Sequence, residues 1–270
     1  METLQSTSNV ALRESIYAGK IIRIPACARS RHLVARVWAL LEQEFGASTP
    51  RRELQFKLDG AEFYERVGKV RKRLASEEAY QKLLFELLAA KGFAKGKHAV
   101  DPARLRAVTH LGHENPKAAP AYTAHRDSWY GNPQAQVNWW IPLHDVTEAD
   151  SFKFFSDWFD KPVDNNSGDF DYDEWMKSVG WQNTSGKAAV YPSVLDDNFN
   201  FNEGVAFKAN AGDMILFSAA HLHQTVKNAS GLTRFSIDFR TVHLADHEAG
   251  KGAVNVDNKS QGCSLKDYLV

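Results

Sequence analysis

The chain is poor in the features that mark many protein classes. Its two cysteines, Cys27 and Cys263, lie near opposite ends of 270 residues and neither belongs to a close pair. That excludes a disulfide framework and the spaced thiols that hold zinc or run dithiol redox chemistry. Both read as free thiols of a reducing cytoplasm. Surplus charge is also missing: Lys+Arg 33 balance Asp+Glu 33, so no overall field draws the surface to nucleic acid or anionic lipid. No apolar run approaches bilayer length, and Met1 to Asn9 lacks the apolar centre of a signal peptide. No internal repeat is visible. With 43% hydrophobic and 24% charged residues, the expectation is a single globular domain over 1–270, cytoplasmic, monomeric or homodimeric, with neither a membrane nor a nucleic-acid partner.

What is present divides into a helical front, about 1–100, and a strand-rich body. Ile21 to Ile24 predicts a short strand. Leu33, Val34, Val37, Trp38, Leu40 and Leu41 recur at helical spacing until Gly46. Phe63, Val67, Val70 and Leu74 predict a second helix whose basic face, Arg66 to Arg73, is expected in solvent. Ser76 is expected to cap a third, running to Gly92. From Leu105 on, short β-branched and aromatic runs take over: Arg106 to Leu111, Tyr122 to Arg126, Ala135 to Leu143, Phe152 to Phe155, Ala188 to Tyr191, Val205 to Ala209, Met214 to Phe217 and Thr233 to Val242. Such a series suits a mainly β fold with flanking helices, a double-stranded β-helix or jelly roll of cupin type over 101–245. The polar stretch at about 156–187 reads as an insertion over the barrel mouth, and 246–270 as a tail that could serve as a lid.

In the run Ala135 to Leu143, a period of two puts Gln136, Asn138 and Trp140 on one face and Val137, Trp139 and Ile141 on the other. Amides and an indole on one face are expected for a polar cavity inside a barrel. His125-Arg126-Asp127 adds chemistry, because residues two apart in extended chain point the same way. His125 and Asp127 can therefore reach one ion while Arg126 points elsewhere. About a hundred residues later comes a second cluster, His221-Leu222-His223. Two imidazoles and a carboxylate hold iron(II) on one face and leave the opposite positions open for a co-substrate and dioxygen. Arg234 then offers a fork for a carboxylate. Periodicity cannot choose between His221 and His223, which share a face.

The run His223 to Arg234 resembles the distal motif of the phytanoyl-CoA dioxygenase-like family of Fe(II)/2-oxoglutarate-dependent oxygenases, with Asn228 five and Arg234 eleven residues after the histidine. The resemblance covers roughly Val108 to Val242. It implies His125, Asp127 and His223 as metal ligands, with His221 a neighbour. It further implies Arg234 and Thr225 on the 2-oxoglutarate carboxylate, Trp140 lining the co-substrate pocket, and Asn138 as another co-substrate contact. The implied reaction is hydroxylation of an unactivated C–H bond of a small polar metabolite, with 2-oxoglutarate decarboxylated to succinate. Related halogenases keep a small residue where Asp127 stands, so chlorination is not expected. Desaturation, epoxidation and ring formation share the ligand set.

Arg106, His110, Gln136 and His221 are candidate substrate residues. Asp164, Asp169, Asp171, Asp173 and Glu174 are expected to be solvated. Two other functions fit the same ligands: a cupin-like metalloenzyme that needs no keto acid, and hence no Arg234, or a non-catalytic jelly-roll protein holding a structural ion.

Overall fold

A computed structural model describes residues 1–3, 8–47, 50–116, 118–180 and 191–270. Helices α1 (Asn9–Tyr17), α2 (Ala28–Phe45), α3 (Gly60–Ser76) and α4 (Glu78–Ala89) form the front. The stripe expected on α2 is buried in full, and Gly46 ends the helix at φ 87°, a conformation that costs glycine little. On α3, Phe63, Val67, Val70 and Leu74 are buried as their spacing requires. Each such side chain contributes roughly 1.5–3 kcal/mol when removed from water. The cap of α4 differs from expectation. Ser76 is the last residue of α3 and its hydroxyl donates to the Lys72 carbonyl, while Glu77 takes the N-cap position. Back-bonding to the preceding turn outcompetes capping here.

Strands β1 (Glu2–Thr3), β2 (Ile22–Ile24), β3 (His98–Val100), β4 (Arg104–Val108), β5 (Gln136–Pro142), β8 (Met214–Ser218) and β10 (Arg234–His243) build one sheet, while β6 (Phe152–Phe154), β7 (Val205–Ala206) and β9 (His223–Thr225) build another. The large sheet runs β1-β2-β8-β5-β10-β3, with β4 also on β10; the small one runs β7-β6-β9. Its period of two decides what each face does. Val137, Trp139 and Ile141 of β5 and Phe235, Ile237 and Phe239 of β10 share one core with α2, α3 and α4. On the opposite face the register aligns Arg106 with Ser236, Asp238 with Arg104 and Trp140, and Arg240 with Asn138. This polar face looks toward the small sheet, and Trp140 and Phe217 pack with Phe152 and Phe154 to join the two.

Several expected strands are altered. Tyr122 closes a 3-10 turn, Ala119–Tyr122, and only His125 makes a ladder contact in that stretch, an isolated bridge to His223. The strand expected at Arg106 to Leu111 stops at Val108, because Leu111 adopts φ 55° and turns the chain away. Of Val205 to Ala209 only the first two residues are strand. Of Ala188 to Tyr191 all but Tyr191 lie outside the described residues. The presumed insertion contains a helix, α5 (Tyr172–Ser178), and α6 (Leu244–Glu248) follows β10. The tail folds against the body. Leu269 exchanges backbone hydrogen bonds with Val100, and the Tyr268 hydroxyl donates to Gln136 Oε1 at 2.7 Å. Among the described residues, no helix is long and apolar enough to cross a membrane.

Candidate active site

The backbones of His125 and His223 hydrogen-bond each other in both directions at 3.0 Å, which sets the two side chains next to one another. Their ring centroids are 4.5 Å apart. Each Nδ1 meets a carbonyl, His125 that of Thr123 at 3.0 Å and His223 that of His221 at 2.9 Å. A carbonyl can only accept, so Nδ1 carries the hydrogen and the Nε2 lone pair is left for a metal. Asp127 Oδ1 stands 3.5 Å from Nε2 of His125 and 3.8 Å from Nε2 of His223. Two ligands each about 2.1 Å from one ion lie at most about 4.2 Å apart, and both separations satisfy that limit. The three donor atoms lie within 4.8 Å of one another.

Charge in the cluster is set by its surroundings. Burial would raise the Asp127 carboxyl, but the His125 ring against it and the Arg240 guanidinium hold it far below the usual carboxylate range. Burial, with the charge of His125 second, pushes His223 down to about 4. A neutral imidazole and an ionised carboxylate are the forms that bind a metal. Arg240 faces the other carboxylate oxygen, Nε to Asp127 Oδ2 at 3.6 Å, and is tied behind by Asp101 through Nη1 at 2.7 Å. Arg126 turns away as expected. Its Nε meets Asp257 Oδ2 at 3.0 Å, and its Nη2 donates to the carbonyls of Trp158 and Lys161. The buried guanidinium thus binds the ligand segment to the tail and to the start of the insertion.

His125, Asp127 and His223 line a cavity of about 360 Å³ between the two sheets, within the size range of small-molecule sites, about 300–1,000 Å³. Asn138, Trp140, Phe152, Phe217, Thr225 and Arg234 are in its walls. Arg234 is 3% exposed. Its Nη1 donates to Ser236 Oγ at 2.7 Å, its guanidinium lies 5.7 Å over the Trp140 ring, and its Nε has no acceptor among the described residues. Burial, then the nearby Arg106 charge, pushes it down to about 10. Asn138 Oδ1 accepts from Gln136 Nε2 at 2.8 Å, while Asn138 Nδ2 is unpartnered. Two residues of the cavity wall therefore each hold a buried donor without a partner among the described residues, an arrangement suited to an anionic or carbonyl ligand.

Of the residues singled out from the sequence, His125, Asp127, His223, Thr225, Trp140, Asn138, Arg234 and Arg106 all line this cavity. Three others do not. His110 lies beyond the end of β4 and accepts from the Gly231 N–H. Gln136 is fully buried beneath Asn138 and serves Tyr268. His221 is packed away with Nδ1 accepting from the Ser218 N–H and Nε2 against the Gly19 carbonyl. Asn228 has a folding role: its Nδ2 donates to the carbonyls of Val108 and Leu232, fixing the turn that leads into β10. Sequence reasoning missed Arg71, Asp238 and Arg240. The alternation Arg234, Ser236, Asp238, Arg240 along β10 was the available signal for the last two. The tail supplies no cavity-lining residue.

No protein-family profile matches this sequence, and no curated protein matches it either. Solved structures do. The chain is similar in fold to an apo structure of the non-heme monooxygenase ThoJ, at TM-score 0.50 and 12% identity over 86% of this chain and 77% of that one. It also aligns with EvdO2 from Micromonospora carbonacea var. aurantiaca, TM-score 0.48 and 14% identity over 94% and 100% of the two chains. A third match is the epimerase SnoN in complex with Fe3+, alpha ketoglutarate and nogalamycin RO, TM-score 0.43 and 15% identity over 87% and 84%. At these identities the likeness to ThoJ is one of fold.

Proposed function

We propose that this protein is an iron(II)- and 2-oxoglutarate-dependent oxygenase, on a double-stranded β-helix, that hydroxylates an unactivated C–H bond of a small metabolite. The observation that carries this reading is the pairing of two features in one cavity. Two imidazoles with free Nε2 atoms and one carboxylate oxygen converge, and a buried arginine with an unpartnered Nε stands in the same walls. A structural ion would need neither the open space nor the spare cation. A cupin-type enzyme without a keto acid would leave the Arg234 charge unanswered.

His125, Asp127 and His223 would hold the iron, which supplies the redox centre for converting 2-oxoglutarate and dioxygen to succinate and carbon dioxide with one oxygen atom delivered to the substrate. Arg234 presents Nε beside an Nη for a bidentate grip on the distal carboxylate. Thr225 adds a hydroxyl and Trp140 a flat wall. Asn138 Nδ2 is a further donor, held in place by Gln136. Arg240 occupies Asp127 Oδ2, so that Oδ1 alone faces the histidines.

Anaerobic addition of ferrous iron and 2-oxoglutarate should produce a weak visible charge-transfer band that His223→Ala abolishes. Absence of the band in the wild type would overturn the assignment. A panel of amino acids, nucleosides and sugar derivatives, screened for stimulated succinate release, identifies the substrate.

A further inference from the structure

The cavity holds more positive charge than the proposed co-substrate can use. Among the described residues, Arg71, Arg106, Arg234 and Arg240 line it against Asp127 and Asp238. Asp101, behind Arg240, is also paired with Arg104 at 2.8 Å, so it does not cancel the surplus. A divalent metal and a doubly charged keto acid offset one another and leave two positive charges over. Arg106 is answered by Asp238 through two hydrogen bonds of 2.9 and 3.0 Å. Arg234 is assigned to the keto acid. Arg71 has no carboxylate within ion-pair reach among the described residues.

Arg71 does not belong to the β core at all. It comes from α3, which packs on β4, and among the described residues β4 hydrogen-bonds to a neighbouring strand on one side only. The Leu105 carbonyl accepts Arg71 Nε at 2.8 Å. That bond anchors the side chain at the strand edge, so that it rounds the sheet and lines the cavity with Arg106. Burial, then the Arg106 charge, pushes the Arg71 guanidinium down to about 10. Two guanidiniums in one wall, with Asp238 engaged by Arg106, form a site short of an anion. The rest of the wall includes the rings of Tyr130, Phe152, Trp175 and Tyr191, which favour an apolar or aromatic body.

We infer that Arg71, supported by Arg106, is the substrate-recognition subsite, and that the substrate carries a carboxylate or phosphate on an apolar or aromatic frame. This rests on the assignment of Arg234 to 2-oxoglutarate, because that leaves Arg71 for the substrate. Charge-assisted hydrogen bonds of this kind set the expected loss on removing the guanidinium at about ten- to a hundred-fold in affinity.

The test is binding, read by titration calorimetry under anaerobic conditions with iron(II) and 2-oxoglutarate bound. Benzoate, phenyl phosphate and neutral benzamide are the probes. At least one anion should bind tenfold or more tightly than benzamide, the better anion showing which group the site takes. Arg71→Gln should weaken that anion ten- to a hundred-fold without changing benzamide. Arg71→Lys should recover part of the loss, and Lys72→Gln, on the exposed side of the same helix, should leave anion affinity at the wild-type value. Equal anion affinity in wild type and Arg71→Gln would overturn the inference. So would competition between the anion and 2-oxoglutarate, or loss of 2-oxoglutarate binding in Arg71→Gln but not in Arg234→Met. If 2-oxoglutarate fails to bind the wild type, the oxygenase reading fails by itself, and the same anion comparison in the metal-only protein still reads Arg71.

Discussion

Replacing Arg234 by methionine separates what the residue costs the fold from what it contributes to binding. The guanidinium is 3% exposed, keeps one hydrogen bond to Ser236 and leaves Nε unpaired. Burial and the nearby Arg106 charge push it from the ordinary guanidinium range down to about 10, so holding the charge there costs on the order of 3 kcal/mol. Methionine keeps the unbranched apolar stem, removes that cost and forfeits a bond from a charged donor, about 1.5–3 kcal/mol. The ligand-free variant should therefore be as stable as the wild type or more so, by up to about 2 kcal/mol, and melt up to several degrees higher at roughly 2–4 °C per kcal/mol. Binding should respond in the opposite sense. Two charge-assisted bonds lost from the keto acid lower its affinity by roughly two to four orders of magnitude. Iron-loaded wild type with 2-oxoglutarate at a hundred times its Kd gains about 2.7 kcal/mol, a rise of roughly 5–10 °C, and the variant should gain almost none. Differential scanning fluorimetry with and without the keto acid reads both effects. A ligand-free variant melting several degrees lower, or one stabilised by 2-oxoglutarate as much as the wild type, would refute the reasoning.

Arg126→Met leaves the Asp257 carboxylate buried without its cationic partner, and takes the Arg126 donor from the carbonyls of Trp158 and Lys161, so urea unfolding should show a loss of about 3–5 kcal/mol, with weaker metal binding by calorimetry because the ligand segment loosens. Gly252→Ala would put a Cβ 2.4 Å from the Gln134 carbonyl carbon at φ 144°, and a melting temperature within a degree of wild type would contradict that clash. Burial first of all pushes His98 and His221 down to about 4, below their value near 6.5 in the unfolded chain. Between pH 6.5 and 4 the unfolded chain therefore binds protons that the native one refuses, and stability falls as pH drops, by roughly 2 kcal/mol per histidine at pH 5. Urea midpoints at pH 7 and pH 5 check the sign, and an unchanged midpoint would exclude it.

Where a single physical signal dominated, the sequence was readable. The stripes of α2 and α3 are long enough for the 3.6-residue period to be unambiguous, and β5 and β10 alternate cleanly because one face meets the helices and the other meets the cavity. The ligand triplet was legible because a two-residue offset in extended chain fixes direction, even though Tyr122 to Arg126 pairs through one residue instead of forming a strand. Choosing His223 over His221 needed the spacing to Asn228 and Arg234. In the structure both His221 nitrogens are engaged elsewhere. Arg71 was hidden because it belongs to a run of basic residues whose other members face water, and only the edge position of β4 singles it out. His110 shares a period-two face with Arg106, but the turn at Leu111 removes it, and no local pattern announced that turn. The link from Arg240 to Asp101 joins positions distant along the chain, so neighbouring residues carry no trace of it.

Tyr268 reaches the cavity only through others. Its hydroxyl hydrogen goes to Gln136, which obliges the Gln136 amide to present its NH2 to Asn138 and obliges Asn138 in turn to present its own NH2 inward. Clipping the chain after Cys263, or displacing its last turn, would release both amides to rotate. The pocket would then offer an acceptor where it had offered a donor. A stretch that resembles dispensable trailing sequence thus selects the polarity of a contact it never makes.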